Sequence, residues 1–263
     1  MATYLDEILA AHRAAAAEDR RPLDALIERA TSMGPTVPAE AALTAGDRLA
    51  VIAEVKRASP SKGDLWADLD PADLAAGYAD AGAAMVSVLT DEAFFRGSAA
   101  DLQAARTSFG GPILRKDFTV SAADVCDARL MGADVVLLIA AALDDAELAE
   151  FAALAARIGL AALIEVHDET ELARALSVAE ASLIGVNQRD LVTFRVDTDR
   201  AVRVAAEIPD GVVAVAESGV TGPDDARRLA DAGYHAVLVG EHLVTSPDPG
   251  AALRALAVPR AFG

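Results

Sequence analysis

From residue 49 to the end of the chain, short β-branched or leucine-rich runs alternate with alanine-rich amphipathic stretches, and few folds accommodate that rhythm. The apolar runs predict strands near 49–55, 84–89, 112–115, 134–139, 161–166, 182–187, 212–216 and 236–239. Helices are predicted near 71–81, 99–107, 121–131, 144–157, 168–179, 197–207, 222–232 and 248–256. Asp70-Pro71, Ser121, Asp144 and Thr221 stand where N-caps or first-turn prolines belong. A weak internal repeat agrees: DAGAAMVSVLT (80–90), LMGADVVLLIA (130–140) and DAGYHAVLVGE (231–241) each carry a glycine suited to ending a helix, then a buried strand. Continuously apolar strands joined by helices imply a parallel sheet covered by helices. Eight such units in this length favour a closed barrel. An open nucleotide-binding sheet would more often show a glycine-rich turn after its first strand, where this chain has KRASPSKG. The expected architecture is α/β: a single (β/α)8 TIM barrel over residues 1–263, with residues 1–45 as an N-terminal helical extension.

Composition narrows what such a barrel does. Hydrophobic residues are 53% of the chain, ample for a core, yet no apolar run approaches a membrane span. A net charge of −18 repels nucleic-acid phosphates and anionic lipid, so the expected partner is a small molecule, with no nucleic acid and no membrane. The single cysteine, Cys126, allows no internal disulfide, and the first residues lack a secretory layout, so a cytoplasmic location is expected. The chain is taken as a monomer, with an oligomer left open. His235, His242 and Cys126 show no metal-ligand spacing, so no metal site is expected among them. For His167, which follows Glu165, the two readings are polar lining and a surface loop, and the surface loop is favoured.

Side chains alternate faces along a strand, so parity picks out the groups that point into the barrel. Ile52, Glu54 and Lys56 share a face, as do Leu114 with Lys116, Leu163 with Glu165, Gly185 with Asn187, and Val215 with Glu217. Five strands thus end in an inward polar group. Burying lone charges costs several kcal/mol each, so a ring of them is a poor way to build stability. Barrel enzymes place catalytic groups at this C-terminal rim. Glu217-Ser218-Gly219 and Val239-Gly240-Glu241 close the seventh and eighth strands, where barrels bind phosphate on backbone amides.

These segments carry a family likeness. IAEVKRASPSKG (52–63), SVLTDEAFFRGS (87–98), PILRKDF (112–118), LIEVHD (163–168), IGVNQRDLVTF (184–194) and VAESGV (215–220) resemble, in order and spacing, the signature segments of indole-3-glycerol phosphate synthase. The resemblance implies conversion of 1-(2-carboxyphenylamino)-1-deoxyribulose 5-phosphate to indole-3-glycerol phosphate, CO2 and water, without metal or organic cofactor. It casts Lys116 as the acid that protonates the ketone and Glu165 as its acid/base partner. Glu54 and Lys56 would orient substrate and assist dehydration, and Asn187 and Glu217 would hold its hydroxyls and amine. Ser59 and Arg189 would touch substrate, Pro60, Phe95, Phe118 and Leu137 would line the anthranilate pocket, and Ser218, Gly219, Gly240 and Glu241 would take the phosphate.

Three departures stand out. Gln188 replaces a second asparagine, Glu241 stands where a small serine often follows the glycine and its carboxylate should point away from a phosphate dianion, and Pro35–Asp47 lacks the aromatic stretch that commonly leads into the first strand, leaving the lid undefined. Two rival enzymes share the barrel: one using Lys116 as a Schiff-base lysine, and a phosphoribosylanthranilate isomerase. A catalytically silent binding paralogue is the rival from another class.

Overall fold

Each apolar run forms a strand because both of its faces find cover. The computed structural model describes residues 3–59, 62–178, 181–190 and 195–260. Its strands are β1 (Ala50–Val55), β2 (Met85–Leu89), β3 (Ile113–Lys116), β4 (Val135–Ile139), β5 (Ala161–Val166), β6 (Leu183–Asn187), β7 (Val213–Glu217) and β8 (Ala236–Val239). They close into a parallel barrel in which β8 returns to pair with β1. Ile52, Leu114, Leu137, Leu163, Val215 and Leu238 fill the interior. Val51, Val86, Val136, Ile164 and Ala216 face outward into the layer shared with the helices. Among the described residues, no helix is long and apolar enough to cross a membrane.

Local chemistry sets the helix boundaries. Asp70, Ser121 and Asp144 cap their helices through side-chain oxygens, as expected. Gly82, Gly132 and Gly233 adopt the left-handed backbone at φ 90°, 98° and 97°, which the repeat required of them. Thr221 does not cap: Gly222 is the N-cap of Pro223–Asp231, and the Thr221 hydroxyl donates to Asp225 instead (2.7 Å).

The first forty-odd residues close both ends of the barrel. Helix α1 (Tyr4–Glu18) starts with a Thr3–Asp6 capping box and lies across the C-terminal mouth, where Tyr4, Leu5 and Ile8 line the cavity. Arg13 fixes it through Glu147 (2.8 Å) and the Ala142 carbonyl (3.0 Å). Helix α2 (Leu23–Thr31) packs against Ala122–Met131, with Arg21 on Asp127. The stretch treated as an undefined lid is instead a plug at the opposite end. Helix α3 (Ala39–Thr44) drives Ala39 and Leu43 into the interior cluster, Val37 N–H donates to Asp134 before β4, and Ser182 before β6 donates to Glu40. A short turn with two buried apolar residues has too little periodicity to be read as a helix.

His12 is the pin that holds α1 over the mouth. Its Nε2 lies 2.8 Å from Asp91 Oδ2 in the loop after β2, and its ring is 5.6 Å from that of Phe118. The hydrogen bond to Asp91 raises the His12 pKa, burial opposes it, and Asp117 adds to the rise. Because the folded value is raised, this contact stabilises fully below the unfolded value of about 6.5 and is lost as pH climbs through the folded value. Amide protection across residues 4–18 is therefore expected to fall as pH rises through that window, and His12→Ala should lack the step. Hydrogen exchange followed against pH checks this; a pH-independent wild-type profile would refute it.

Candidate active site

Parity places the ionisable groups where the alternation expects them. Lys116 at the end of β3 turns inward, with Nζ 3.0 Å from Glu165 Oε2 on β5 and 3.5 Å from Glu217 Oε2 on β7. Asn187 on β6 donates to Glu165 Oε1 (3.0 Å), and its own oxygen accepts the Arg189 N–H (3.0 Å). Glu54 on β1 pairs with Lys56 at 2.7 Å, while the buried Tyr78 hydroxyl donates to the Glu54 carbonyl (3.2 Å) and ties that strand end to its helix. Two glycines make room for these carboxylates. A Cβ on Gly185 would overlap Glu217 Oε1, and one on Gly240 would overlap Glu54 Oε1 and crowd Lys56 Nζ.

The three charges around β3 are mutually dependent. Burial alone would lower the Lys116 pKa, but Glu165, Glu217 and Glu54 together outweigh it and hold the ammonium charged. Glu165 is pushed up by burial but pulled further down by Lys116, His167 and the Asn187 hydrogen bond, so it stays ionised. Glu217 goes the other way: burial and the neighbouring carboxylates raise it despite Lys116. One ammonium shared by two buried carboxyls drives their pKa values apart, Glu165 down and Glu217 up. Glu217 Oε1 is also buried without a hydrogen-bond partner, ready for a polar group in the cavity.

That cavity, of about 700 Å³, gathers every anticipated residue that falls within the described chain. Pro60 lies outside the described residues. On one side Phe95, Phe118 and Leu137 form an apolar wall, the two rings tilted at 6.2 Å. On another stand Ser59, Arg189, Ser218, Gly219, Gly240 and Glu241. Ser218 and Gly219 both take positive φ (65° and 75°), a tight turn at the end of β7. Gln188 supports it: its Nε2 donates to the Ser218 carbonyl (2.7 Å), and its backbone N–H to the Glu217 carbonyl (3.0 Å). The departure at 188 thus buttresses the loop beside it. Glu241 does not turn away from the cavity; it bridges Lys62 (3.5 Å) and Arg189 (3.8 Å), drawing the loops after β1 and β6 together.

Several residues of the mouth escaped the sequence reading. His167 is not on the surface: its side chain is 11% exposed, and Nε2 lies 3.6 Å from Glu165 Oε1. The signal existed, since 165 and 167 share parity at a strand end. His12 and Lys62 gave no local signal, because their partners Asp91 and Glu241 are far away in sequence. His12, Asp91 and Asp117 bring ligand-type atoms within 4.8 Å of one another. The oxygens nearest His12 are engaged: Asp91 Oδ2 is bonded to His12 Nε2 (2.8 Å), and Asp117 Oδ1 accepts the Phe118 N–H (2.9 Å). The cluster reads as a charged clasp beneath α1.

Barrel and site define a class: a (β/α)8 enzyme with acid and base groups on alternate strand ends, facing an apolar wall on one side and two glycine-bearing loops on the other. The comparisons carry this to a family. The family model described as indole-3-glycerol phosphate synthase matches residues 5–256. The chain is 47% identical to the indole-3-glycerol phosphate synthase of Polaromonas naphthalenivorans, covering 97% of this chain and 99% of that one. It is 52% identical to indole-3-glycerol phosphate synthase 1 of Streptomyces coelicolor, over 95% and 93% of the two chains. A solved thiamine phosphate pyrophosphorylase from Pyrococcus furiosus shares the fold at a TM-score of 0.59 and 15% identity, covering 79% of this chain and 93% of that chain. The chain belongs to the indole-3-glycerol phosphate synthase family, carboxy-lyases of tryptophan biosynthesis.

The Gly185 contact supplies a test of the geometry. Gly185→Ala should displace the Glu217 carboxyl, cost roughly 1–3 kcal/mol by overpacking, and lower turnover by roughly 10–100-fold through misplacement. Thermal melting and steady-state assay of the variant check both; unchanged turnover would count against the placement of Glu217.

Proposed function

We propose that the chain converts 1-(2-carboxyphenylamino)-1-deoxyribulose 5-phosphate to indole-3-glycerol phosphate, CO2 and water, with the strand-end side chains carrying the proton transfers. The observation that supports this most is Lys116 held 3.0 Å from Glu165 and 3.5 Å from Glu217, facing a cavity with an aromatic wall. Ring closure joins an aromatic carbon to the ketone carbon, and the ketone oxygen takes a proton from Lys116. Loss of CO2 returns an electron pair to the ring nitrogen. The new hydroxyl then leaves as water, taking a second proton, and a C–H or N–H proton is released as the indole forms. Two protons enter and one leaves, so each turnover draws one net proton from solvent.

Within this scheme Glu165 is the acid/base partner of Lys116, which it touches at 3.0 Å. Glu54 and Lys56 steady the sugar chain and serve the water loss. Asn187, Glu217 and Ser59 hold polar groups of the substrate; Ser59 Oγ, like Glu217 Oε1, is buried without a partner. Phe95, Phe118, Leu137 and Pro60 take the anthranilate ring and keep water from the carboxylate as it departs. Backbone amides at Ser218, Gly219, Gly240 and Glu241, with Arg189, form the phosphate end, while the Glu241 carboxylate, which would repel a dianion, is engaged by Lys62 and Arg189. A lysine kept charged by three carboxylates is a poor nucleophile, which favours the acid role over a Schiff base.

Purified chain given this substrate should produce indole absorbance. Lys116→Ala should lower turnover by at least roughly 100-fold in a chain that still folds, as expected for loss of a positioned proton donor. Borohydride added during turnover should leave Lys116 unmodified. Covalent trapping at Lys116 would replace the acid role with an imine, and no turnover by folded wild-type chain would favour a silent binding protein.

A further inference from the structure

We infer that His167 and Glu171 form the route by which solvent protons reach Glu165, and so resupply Lys116 between turnovers. The inference rests on the acid/base role proposed for Glu165 and extends it to residues that touch no substrate.

The net proton drawn per turnover needs a route. Lys116 and Glu165 sit under the cavity's contents, and the Glu165 side chain is 1% exposed. Its two oxygens face opposite ways. Oε2 is on Lys116 at 3.0 Å, while Oε1 is on Asn187 at 3.0 Å and 3.6 Å from His167 Nε2. Asn187 donates an amide proton it cannot give up, so His167 is the titratable neighbour on that side. On the far side of the imidazole, Nδ1 lies 3.0 Å from Glu171 Oε2, one turn along Glu169–Leu176. Exposure rises outward along the series, from 1% for Glu165 through 11% for His167 to 19% for Glu171.

His167 Nε2 is buried with no hydrogen-bond partner. Buried polar atoms are seldom left so without a reason. At 3.6 Å the contact to Glu165 is too long for a hydrogen bond at rest, as catalytic contacts often are before substrate binds. The charges facing the ring are mixed: Glu171 and Glu165 favour the imidazolium, while burial and Arg200 from Thr198–Ala205 oppose it. The carboxylates prevail and raise the imidazole's pKa, so the ring takes up a proton readily and has Glu165 beside it to receive one.

The transfer balances simply. The imidazolium Nε2–H bond breaks, an O–H bond forms on Glu165 Oε1, and a neutral Nδ1–H imidazole remains. The carboxyl turns about its soft terminal torsion and hands the proton to the neutral Lys116 amine, regenerating ammonium and carboxylate. A half-turn of the ring about Cβ–Cγ carries the bare Nε2 to the place of Cε1, away from Glu165, where solvent protonates it, and the reverse turn returns the imidazolium to Glu165 and Glu171. Glu171 keeps its place meanwhile, because the His167 backbone N–H also donates to it (2.8 Å).

The test separates first from later turnovers, using the purified full chain and the carboxyphenylamino-deoxyribulose phosphate. In His167→Asn the first turnover should run at wild-type rate, since Lys116 starts charged. Steady-state kcat should fall roughly ten-fold, and imidazole buffer should restore it in proportion to concentration. Glu171→Gln keeps an acceptor for the backbone N–H and should show a smaller loss in steady state alone. Equal losses in first and later turnovers without rescue, or wild-type steady-state rates in both variants, would overturn the route. Glu165→Gln tests the underlying reading separately: a wild-type first turnover there would remove the role of Glu165 itself, whatever the His167 variants do.

Discussion

A largely buried ammonium at the inner end of the cavity is the constraint around which the mouth of this barrel is organised. Removing Lys116 from water would cost several kcal/mol were it alone. Glu165 and Glu217 reach it from β5 and β7, and their own burial is tolerable only because Lys116 is there. No member can be removed without stranding the others. The same mutual need pushes the pKa values of two chemically identical carboxyls in opposite directions, as acid–base chemistry at one pH requires. Glycine at 185 and 240 is the steric condition for the arrangement, since any side chain there would occupy carboxylate space.

The scaffold around that centre divides its work by face. Outward side chains of the strands seal against helices, and inward ones fill the lower barrel up to the level of Leu114, Leu163 and Val215. Only above that level do charges appear. The N-terminal extension completes the vessel, with α3 stopping the bottom and α1 bordering the top. The top is held by polar contacts, His12 on Asp91 and Arg13 on Glu147, while the bottom is held by Ala39 and Leu43 packed in the core. Polar, partly exposed contacts open more readily than apolar core, so the two ends differ in how easily they move.

Much of this was written in the alternation of side chains. The period of two along a buried strand points Glu54, Lys116, Glu165, Asn187 and Glu217 into one cavity, and the helix-ending glycines mark where strands begin. Long, strongly periodic elements are legible because each residue repeats the same message. The clasp under α1 was not legible, because His12, Asp91 and Asp117 meet only through tertiary folding. Nor was α3, whose six residues carry less than two turns of pattern. His167 shows a different failure: its parity matched that of Glu165, yet histidine's liking for surfaces was given more weight than its position. At a strand end, register is the stronger guide.

The two ends of the described chain leave the barrel on opposite sides. Thr3 opens the helix that borders the cavity, whereas Pro259 bridges to Arg48, and Arg260 bonds to the Asp47, Thr44 and Gly46 carbonyls beneath the first strand. Anything joined ahead of Thr3, an affinity tag or a fused partner, therefore emerges next to the substrate's path and beside the His12 clasp. The same addition beyond Arg260 emerges on the closed side, a barrel's length from the chemistry.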